Sequence, residues 1–226
     1  MTEIQSTARS QFDAISLNLN YSRPQQRLFV AANYMFGRSI DETDGPFGLP
    51  ADTYNLAGER GPAPGFSRHR FMSMANLPLR NRFRLGTSLR VQSGTPYNIT
   101  TGRDDNGDTV SNDRPAGVTR NTGIGQAQID LGLRLSWGLA FGGAAPPPAG
   151  PQVRMVRGDN ADPLGSMGGG EGGGKRYAVE LYAQAYNALN HFNALNVSGV
   201  VGSPFFGRPT SAAAPRRVEV GARLSF

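Results

Sequence analysis

The chain has 226 residues, of which 38% are hydrophobic, and it carries a formal net charge of +6 with an isoelectric point near 10.2. It has no cysteine, which excludes disulfides, thiolate metal sites and cysteine nucleophiles. Its basic residues are scattered through the chain, with Lys175 the one lysine, so the charge predicts no nucleic-acid partner.

Seven segments of the chain alternate apolar and polar residues with the period of two that is typical of β-strands. In chain order they span residues 11–21, 27–39, 68–77, 81–99, 128–141, 177–189 and 216–226. The alternation is clearest in the fifth segment, where every second residue from Ile129 to Phe141 is apolar, and the third is assigned from its context. The sequence therefore predicts an all-β fold with about seven antiparallel, up-and-down strands.

The links between these segments differ in length in a regular way. Long, polar, Gly/Pro-rich links span 40–67, 100–127 and 190–215, and short links span 22–26 and 78–80. Transmembrane barrels have short periplasmic turns and long extracellular loops, whereas loops beyond about 12–15 residues are uncommon in soluble domains. No apolar run reaches the roughly 20 residues of a membrane-spanning helix, so we predict an antiparallel transmembrane β-barrel segment in the bacterial outer membrane.

The link 142–176 departs from this pattern, because it is long where a short turn is expected. It contains PPP and GGGEGGG, a composition typical of low-complexity sequence. We therefore predict a disordered periplasmic insertion at 142–176.

The alternation gives each strand a lipid-facing and a lumen-facing side, because an arginine facing lipid at the bilayer midplane costs about 2–4 kcal/mol. The predicted lumen-facing residues, which are polar, are Arg82, Arg84, Arg90, Asp130, Arg134, Glu180, Tyr182, Glu219 and Arg223. The predicted lipid-facing residues, which are apolar, are Leu85, Leu89, Ile129, Leu131, Leu133, Leu135, Trp137, Leu139, Val179 and Leu181. Candidates for the aromatic girdles at the membrane interfaces are Tyr34, Phe36, Trp137, Phe141 and Phe226.

The last predicted strand ends on an aromatic residue in phase with its apolar face. The residues of this face are Val218, Val220, Ala222, Leu224 and Phe226. Such an ending is similar to the signal by which the outer-membrane assembly machinery recognises its clients, so this machinery is a predicted partner. The ending also predicts that the last strand runs towards the periplasm.

Four stretches of the sequence resemble one family. They are FDAISLNLNY, NYMFGRSIDETDGPFGLPADTYNLAGERGPAPGFSRHRF, LRVQSGTPYNITTGRDDNGDTVSNDRP and AYNALNHFNALNVSGVVGSPFFGRPTSAAAPRRVEVGARLSF. In this order, and over most of the chain, they resemble the C-terminal barrel region of the Oar-like TonB-dependent receptors.

This resemblance implies a 22-stranded barrel with an N-terminal plug inside it, contact with the TonB complex, and energy-coupled uptake, or export or adhesion. For most lumen-facing residues we expect a polar interior in which arginines pair with carboxylates of neighbouring strands, and the alternative is that some contact the plug or line the substrate path. The first ten residues, MTEIQSTARS, lack the features of a secretory signal. We therefore expect a fragment, inactive alone, whose partners are outer-membrane lipid and the missing N-terminal barrel and plug.

Other candidate sites are weaker. The spacing of Asp104, Asn106 and Asp108 is similar to the start of a calcium loop, but loop position twelve is Pro115 rather than glutamate. A solvated turn is the favoured interpretation, and weak calcium binding is the alternative. His69 and His191 lie in different segments, so we expect no metal site there.

Two function classes compete with a membrane barrel. A soluble β-sandwich that binds carbohydrate or protein would also alternate, and it would be soluble without detergent, but it explains neither the loop lengths nor the terminal Phe226. An enzyme would need a catalytic triad, a carboxylate pair, a metal cluster or a cofactor loop. We find none of these patterns in the sequence, and we expect neither catalysis nor a cofactor.

Overall fold

The computed structural model describes residues 7–45, 47–144 and 175–226, and these residues form β-strands joined by turns and loops. In chain order the strands are β1 (Ser10–Arg23), β2 (Leu28–Asp41), β3 (Gly61–Pro62), β4 (His69–Pro78), β5 (Phe83–Gln92), β6 (Pro96–Tyr97), β7 (Gly123–Ile124), β8 (Gln128–Ala144), β9 (Lys175–Tyr186), β10 (Ala194–Val197), β11 (Pro209–Ala212) and β12 (Arg217–Ser225). Short 3₁₀ turns lie at Pro24–Gln26, Leu56–Glu59 and Arg80–Arg82. No helix in these described ranges is both long enough and apolar enough to span a bilayer.

Eight of the strands form one antiparallel sheet, in which the seven long strands follow one another and the short β3 pairs with the end of β2. Its order is β1-β2-β4-β5-β8-β9-β12, so each long strand pairs with the next long strand along the chain. These strands correspond to the seven predicted segments. The prediction of an all-β, up-and-down fold is therefore confirmed.

The predicted strand 81–99 is too long at both ends. Arg82 lies in the turn before β5 with a positive φ of 67°, so it is not a strand residue. At the other end β5 stops at Gln92, and Pro96–Tyr97 form the separate strand β6, which pairs with β7. Gly94 and Pro96 interrupt the strand, since a glycine weakens a strand interior and a proline donates no ladder hydrogen bond.

The predicted strand 177–189 and the predicted insertion 142–176 also have different limits in the structure. Strand β9 ends at Tyr186, and Asn187 follows with a positive φ of 44°. Residues 142–144 belong to β8 and residues 175–176 to β9, and Ala144 pairs with Lys175. The ends of the predicted insertion are therefore strand, while residues 145–174 lie outside the described residues.

The long links leave the sheet from one end. Ser10 pairs with Asp41 at this end of the β1–β2 ladder, and Arg23 pairs with Leu28 at the other. We call residues 42–68, 93–127 and 187–216 the first, second and third loops, and together the loop layer. The short turns 24–27 and 79–82 lie at the opposite end of the sheet. This is the asymmetry that the sequence predicts.

Burial in the sheet is the reverse of that in a soluble protein. The buried hydrophobic residues of the described ranges are four alanines, Ala51, Ala63, Ala178 and Ala194. Charged and polar strand residues such as Arg134 and Glu180 are buried instead, while Leu181 is 49% and Val220 80% exposed. Large contiguous apolar surfaces mark sites of contact with a membrane or a partner.

Candidate functional site

The strand registers place eight of the nine predicted lumen-facing residues on one face of the sheet. Ser136 of β8 lies opposite both Arg84 of β5 and Tyr182 of β9, and Tyr182 in turn lies opposite Gly221 of β12. We call this polar side the inner face. The eight residues are Arg84, Arg90, Asp130, Arg134, Glu180, Tyr182, Glu219 and Arg223. Arg82 is the ninth, and it lies in the turn.

Arg134 forms the centre of a buried cluster on the inner face. Its side chain is 3% exposed. Nη1 donates to Oε1 of Gln184 at 2.8 Å, Nη2 donates to Oε1 of Glu180 at 3.1 Å, and the guanidinium lies 3.8 Å from the ring centre of Tyr182. The cluster thus combines an ion pair, a hydrogen bond and a cation–π contact, each of which strengthens out of water.

The same cluster reaches the last strand. Gln184 donates to Oε2 of Glu219 at 2.9 Å, and Arg223 lies 3.9 Å from Oε2 of Glu180. Strands β8, β9 and β12 are therefore joined by side chains on the inner face as well as by their backbone ladders. Arg134 and Arg223 thus each pair with a carboxylate of the neighbouring strand β9.

Tyr182 lies over Gly221 on the neighbouring strand. A Cβ atom added at position 221 would be 2.5 Å from both the phenol oxygen and the Cζ atom of Tyr182. The glycine leaves room for the ring between β12 and Arg134. A side chain at 221 would force the ring off the guanidinium.

Between the loop-layer end and the short turns, the inner face of β1 and β2 carries neutral polar contacts. Asn33 donates to Oγ of Ser16 at 3.0 Å and to Oδ1 of Asn18 at 2.7 Å. These neutral hydrogen bonds replace the charged contacts of β8, β9 and β12. The polar face therefore changes in character from one edge of the sheet to the other.

All ten predicted lipid-facing residues lie on the opposite, outer face. The cross-strand pairs include Leu85 with Leu135, Leu89 with Leu131, and Leu139 with Val179. Ile129, Leu133, Trp137 and Leu181 share this face. The outer face of β12 continues it with Val218, Val220, Ala222 and Leu224, and Phe226 follows the strand at 99% exposure.

Aromatic side chains lie at both ends of the outer face. Near the loop layer, the hydroxyl of Tyr34 is 2.8 Å from Nδ1 of His69, and the ring of Phe36 lies 4.9 Å from the His69 ring. Near the short turns, Phe141 stacks on Tyr177 with ring centres 5.6 Å apart. Trp137 lies opposite Phe83 at that same end. Transmembrane barrels carry aromatic residues in two such belts.

Arg120 joins the first and second loops. Its side chain is 1% exposed and forms ion pairs with Asp41 and Asp44. It also donates to the carbonyl of Asp41 at 3.0 Å. Burial alone would lower the pKa of Arg120, but its hydrogen bonds to Asp41 and its attraction to Asp44 raise that pKa above the ordinary value. Arg120 is therefore charged at every physiological pH.

Arg114 forms a second cross-link between the same two loops. It binds Glu59 with both terminal nitrogens, at 3.0 and 2.9 Å, and Nε donates to Asn98 at 3.0 Å. Glu59 also accepts a hydrogen bond from the backbone N–H of Ala51 at 3.0 Å. Bidentate contacts of this kind are strong and directional, and together with neutral hydrogen bonds from asparagines of the second loop they hold the first loop to the second.

The candidate calcium residues bind the loop itself. Both carboxylate oxygens of Asp104 accept backbone N–H groups, from Gly107, Asp108 and Thr109, at 2.7 to 3.1 Å. Asp108 accepts from both the amide and the hydroxyl of Thr53. In the part of the chain that the structure describes, no three Asp, Glu, His or Cys residues are grouped to hold a metal. This geometry is that of a turn in which the carboxylates cap backbone amides.

The third loop contacts the second through its backbone. The amide of Thr100 donates to the carbonyl of Gly199, and that of Val201 donates to the carbonyl of Thr100, both at 2.9 Å. Asn193 binds both backbone groups of Ile129, which fixes the third loop to the end of β8. His191 is 3.0 Å from Oδ1 of the same asparagine. The three loops therefore form one connected layer.

Several residues of these clusters are missing from the sequence predictions. Arg114, Arg120 and Glu59 lie in loops, where no period assigns a side chain to a face. Gln184 and Gly221 lie on the polar side of predicted strands, and that pattern alone could have marked them as inner-face residues. The partners of Gln184 and Gly221 depend on the strand register, which alternation alone does not determine.

A family model described as "Outer membrane beta barrel domain" matches residues 1–219 of the chain. No curated protein and no solved structure matches the chain in the same kind of comparison.

Proposed function

The chain belongs to the outer membrane β-barrel domain family, and we propose that it forms part of the wall of a TonB-dependent receptor for energy-coupled uptake, or for export or adhesion. Its location is the bacterial outer membrane, as the family implies. The observation that carries the proposal is the reversed burial of the sheet. Arg134 and Glu180 are buried on the inner face, and large apolar residues are exposed on the outer face. Lipid is the environment in which that arrangement is stable.

We propose that further strands complete the barrel. β1 and β12 each have one neighbour among the described strands, so each leaves a row of backbone groups unpaired. In lipid such groups cost several kcal/mol each, roughly, because no water is present to bind them. An N-terminal barrel region is the partner that supplies these strands, and a plug is the partner that fills the interior.

The two edge strands run in the same direction, both away from the loop layer. Direct pairing of β1 with β12 would therefore be parallel, whether within one chain or between two copies. An odd number of additional strands closes the sheet with antiparallel pairs throughout. This agrees with the even strand numbers of bacterial single-chain barrels.

The receptor assignment is supported by the resemblance of the loop and strand sequences to the Oar-like TonB-dependent receptors. In such a receptor the TonB complex would act through regions outside this sheet, and substrate specificity would lie in the extracellular loops and plug. We further propose that the barrel assembly machinery recognises the exposed apolar side of β12 and the terminal Phe226.

The alternative of a soluble β-sandwich has less support. A sandwich buries the apolar faces of two sheets against each other. Here the seven long strands form a single sheet whose apolar face is exposed. We also propose that the chain is not an enzyme, because its buried charged residues are engaged in cross-strand and loop contacts.

The experiment that tests the proposal is expression of the full chain behind a secretory signal in a Gram-negative host. Outer-membrane material that needs detergent for extraction is expected. Two substitutions at adjacent positions of β5 test the faces: Leu89→Arg puts a charge on the outer face, and Ser88→Arg puts it on the inner face. Leu89→Arg is expected to lose about 2–4 kcal/mol of stability in the membrane, and Ser88→Arg much less.

A soluble, monodisperse, β-rich monomer without detergent would overturn the membrane proposal. Equal loss of membrane-extracted protein in both variants would overturn the assignment of faces. The TonB part is tested separately, by copurification of the complete receptor with TonB. Absence of that copurification would leave a barrel with another function.

A further inference from the structure

We propose that the inner face from β4 to β12 attracts anions, and that the solute passing along it carries carboxylate or phosphate groups. This inference rests on the proposed function, because it requires the inner face to line the path of a solute through the barrel. It goes beyond that function by naming the chemical class of the solute.

The strand registers give the inner face of these strands an excess of positive charge. Among the residues that the ladders pair with a neighbouring strand, the basic ones on this face are Arg70, Arg84, Arg90, Arg134, Arg217 and Arg223. Its acidic residues are Asp130, Glu180 and Glu219. Six arginines against three carboxylates leave three positive charges in excess.

The carboxylates are concentrated at one side of this surface. Glu180 forms ion pairs with Arg134 and Arg223, and Glu219 forms one with Arg217 at 2.9 Å. The charges of β9 and β12 are therefore largely balanced within the cluster around Arg134. The excess lies on β4 and β5, at the centre of the sheet.

The inner-face arginines of β4 and β5 are Arg70, Arg84 and Arg90, of which Arg84 is engaged in a contact of its own, and Asp130 is the one carboxylate of the inner face of β8. Arg90 and Asp130 are opposite each other, and both are exposed, so both remain in contact with water. Arg70 lies at the loop-layer end of β4, where its guanidinium covers the ring of Phe66 at 4.9 Å. The ring holds the guanidinium in place and removes water from one side of it.

Arg70 also has an unused hydrogen-bond donor. Its Nε is buried and has no hydrogen-bond partner among the described residues. A carboxylate or phosphate oxygen is the acceptor that suits a guanidinium best. The site near the loop layer therefore offers both a positive charge and an unsatisfied donor to an anion.

The charge excess is local rather than a property of the whole inner face. At the β1–β2 edge the inner-face contacts are the neutral hydrogen bonds of Ser16, Asn18 and Asn33. A low-dielectric wall with charge of one sign concentrates ions of the opposite sign beside it. Arginine and lysine rings select anions in pores for this reason.

The test measures the binding of two dyes to the detergent-folded full chain: pyranine, which carries three sulfonates, and rhodamine 6G, a monocation. Fluorescence anisotropy is expected to give at least about tenfold tighter binding of pyranine at low salt, and the preference should fall steeply as salt is added. Inorganic pyrophosphate is expected to compete with pyranine.

Arg70→Gln combined with Arg90→Gln is expected to weaken pyranine binding about five- to tenfold, because two of the three excess charges are removed. The matched control is Arg9→Gln with Arg60→Gln, which removes the same net charge from exposed positions outside the inner face. Emission from Trp137 on the outer face checks that each variant has folded into detergent.

Equal weakening by the two pairs would overturn the inference, because binding would then follow the net charge of the chain. No preference between the dyes in the wild type would overturn it as well, and that result needs no variant. Either result would leave membrane insertion unchanged, so failure of this inference is distinguishable from failure of the proposed function.

Discussion

Two buried arginines organise two regions of the molecule in different ways. Arg120 in the loop layer is bound by Asp41 and Asp44 and lies 3.9 Å from Glu59, and these partners come from the first loop and the end of β2. Arg134 on the inner face has one close carboxylate, a glutamine and an aromatic ring. Apart from Arg120, the first and second loops are joined by separate side-chain hydrogen bonds, those of Arg114 among them, whereas the strands around Arg134 are already joined by continuous backbone ladders. The loop layer should therefore depend far more on its arginine.

The largest expected effect is that of Arg120→Met. The substitution removes the hydrogen bonds that the buried guanidinium donates to the carboxylates of Asp41 and Asp44 and to the carbonyls of Asp41 and Glu59, and each hydrogen bond to a charged group contributes about 1.5–3 kcal/mol. Hydrogen exchange of the full chain in detergent should show that the first and second loops lose protection. Backbone amides of β8 should keep their protection from exchange, because the hydrogen bonds of the sheet do not depend on the loops.

Arg60→Met is the matched control for this prediction. Arg60 lies in the same loop, is 52% exposed and pairs with Glu42 at 3.5 Å. An exposed pair of this kind contributes roughly 0–1 kcal/mol. If both variants loosened the loops equally, Arg120 would not be the cross-link between them.

A smaller effect is expected from Arg134→Met. Glu180 loses its closest cation but keeps Arg223, and Gln184 keeps Glu219, so we expect a loss of about 1–3 kcal/mol. Urea unfolding in detergent, followed by Trp137 fluorescence, measures this loss. The double variant Arg134→Met with Glu180→Gln should be more stable than the single variant, since it removes the uncompensated charge. Additive losses would show that the two side chains are not coupled.

The next effect concerns the packing of the last strand. Gly221→Ala places a methyl group against the ring of Tyr182, and overpacking of this kind costs about 1–3 kcal/mol. The atoms that the methyl group meets are at the far end of the Tyr182 side chain, which can move, so we expect a cost of about 1 kcal/mol, the lower limit. Gly202→Ala is the control, because a Cβ atom there meets nothing within 4 Å. Equal unfolding midpoints for the two variants would rule out the contact as a source of stability.

The fold of the sheet could be predicted because each long strand has one face towards lipid and one towards the interior, so apolar and polar residues alternate along it. The faces of β8 and β9 follow directly from residues such as Leu133 and Arg134. The end of β5 could not be predicted from alternation alone, since Val91 and Gln92 continue the pattern up to Gly94. There the break comes from backbone chemistry rather than from side-chain polarity.

The loop layer could not be predicted in the same way. Arg120 is 79 residues from Asp41 and 61 from Glu59, and it reaches both by hydrogen bonds. No period connects residues across such distances. The turn at 104–109 shows the same limit, because Asp104 and Asp108 have the spacing of metal ligands but bind backbone amides of their own loop and Thr53.

The smallest expected effect is a pH dependence at that turn. The hydroxyl of Thr53 and then the amide of Val110 lower the pKa of Asp108 below its ordinary value of 3.8. The stabilisation that ionised Asp108 gives to the contact between the loops is therefore present above pH 3.8, and it is lost as the pH falls through the lower pKa of Asp108 in the folded chain. Hydrogen exchange of the peptide containing Thr53 is measured in wild type and in Asp108→Asn at each pH. Wild type should exchange more slowly than the variant near neutral pH. As the pH falls, the difference should shrink until the two proteins exchange at the same rate. A constant difference between them across this range would mean that the charge of Asp108 does not hold the two loop tips together.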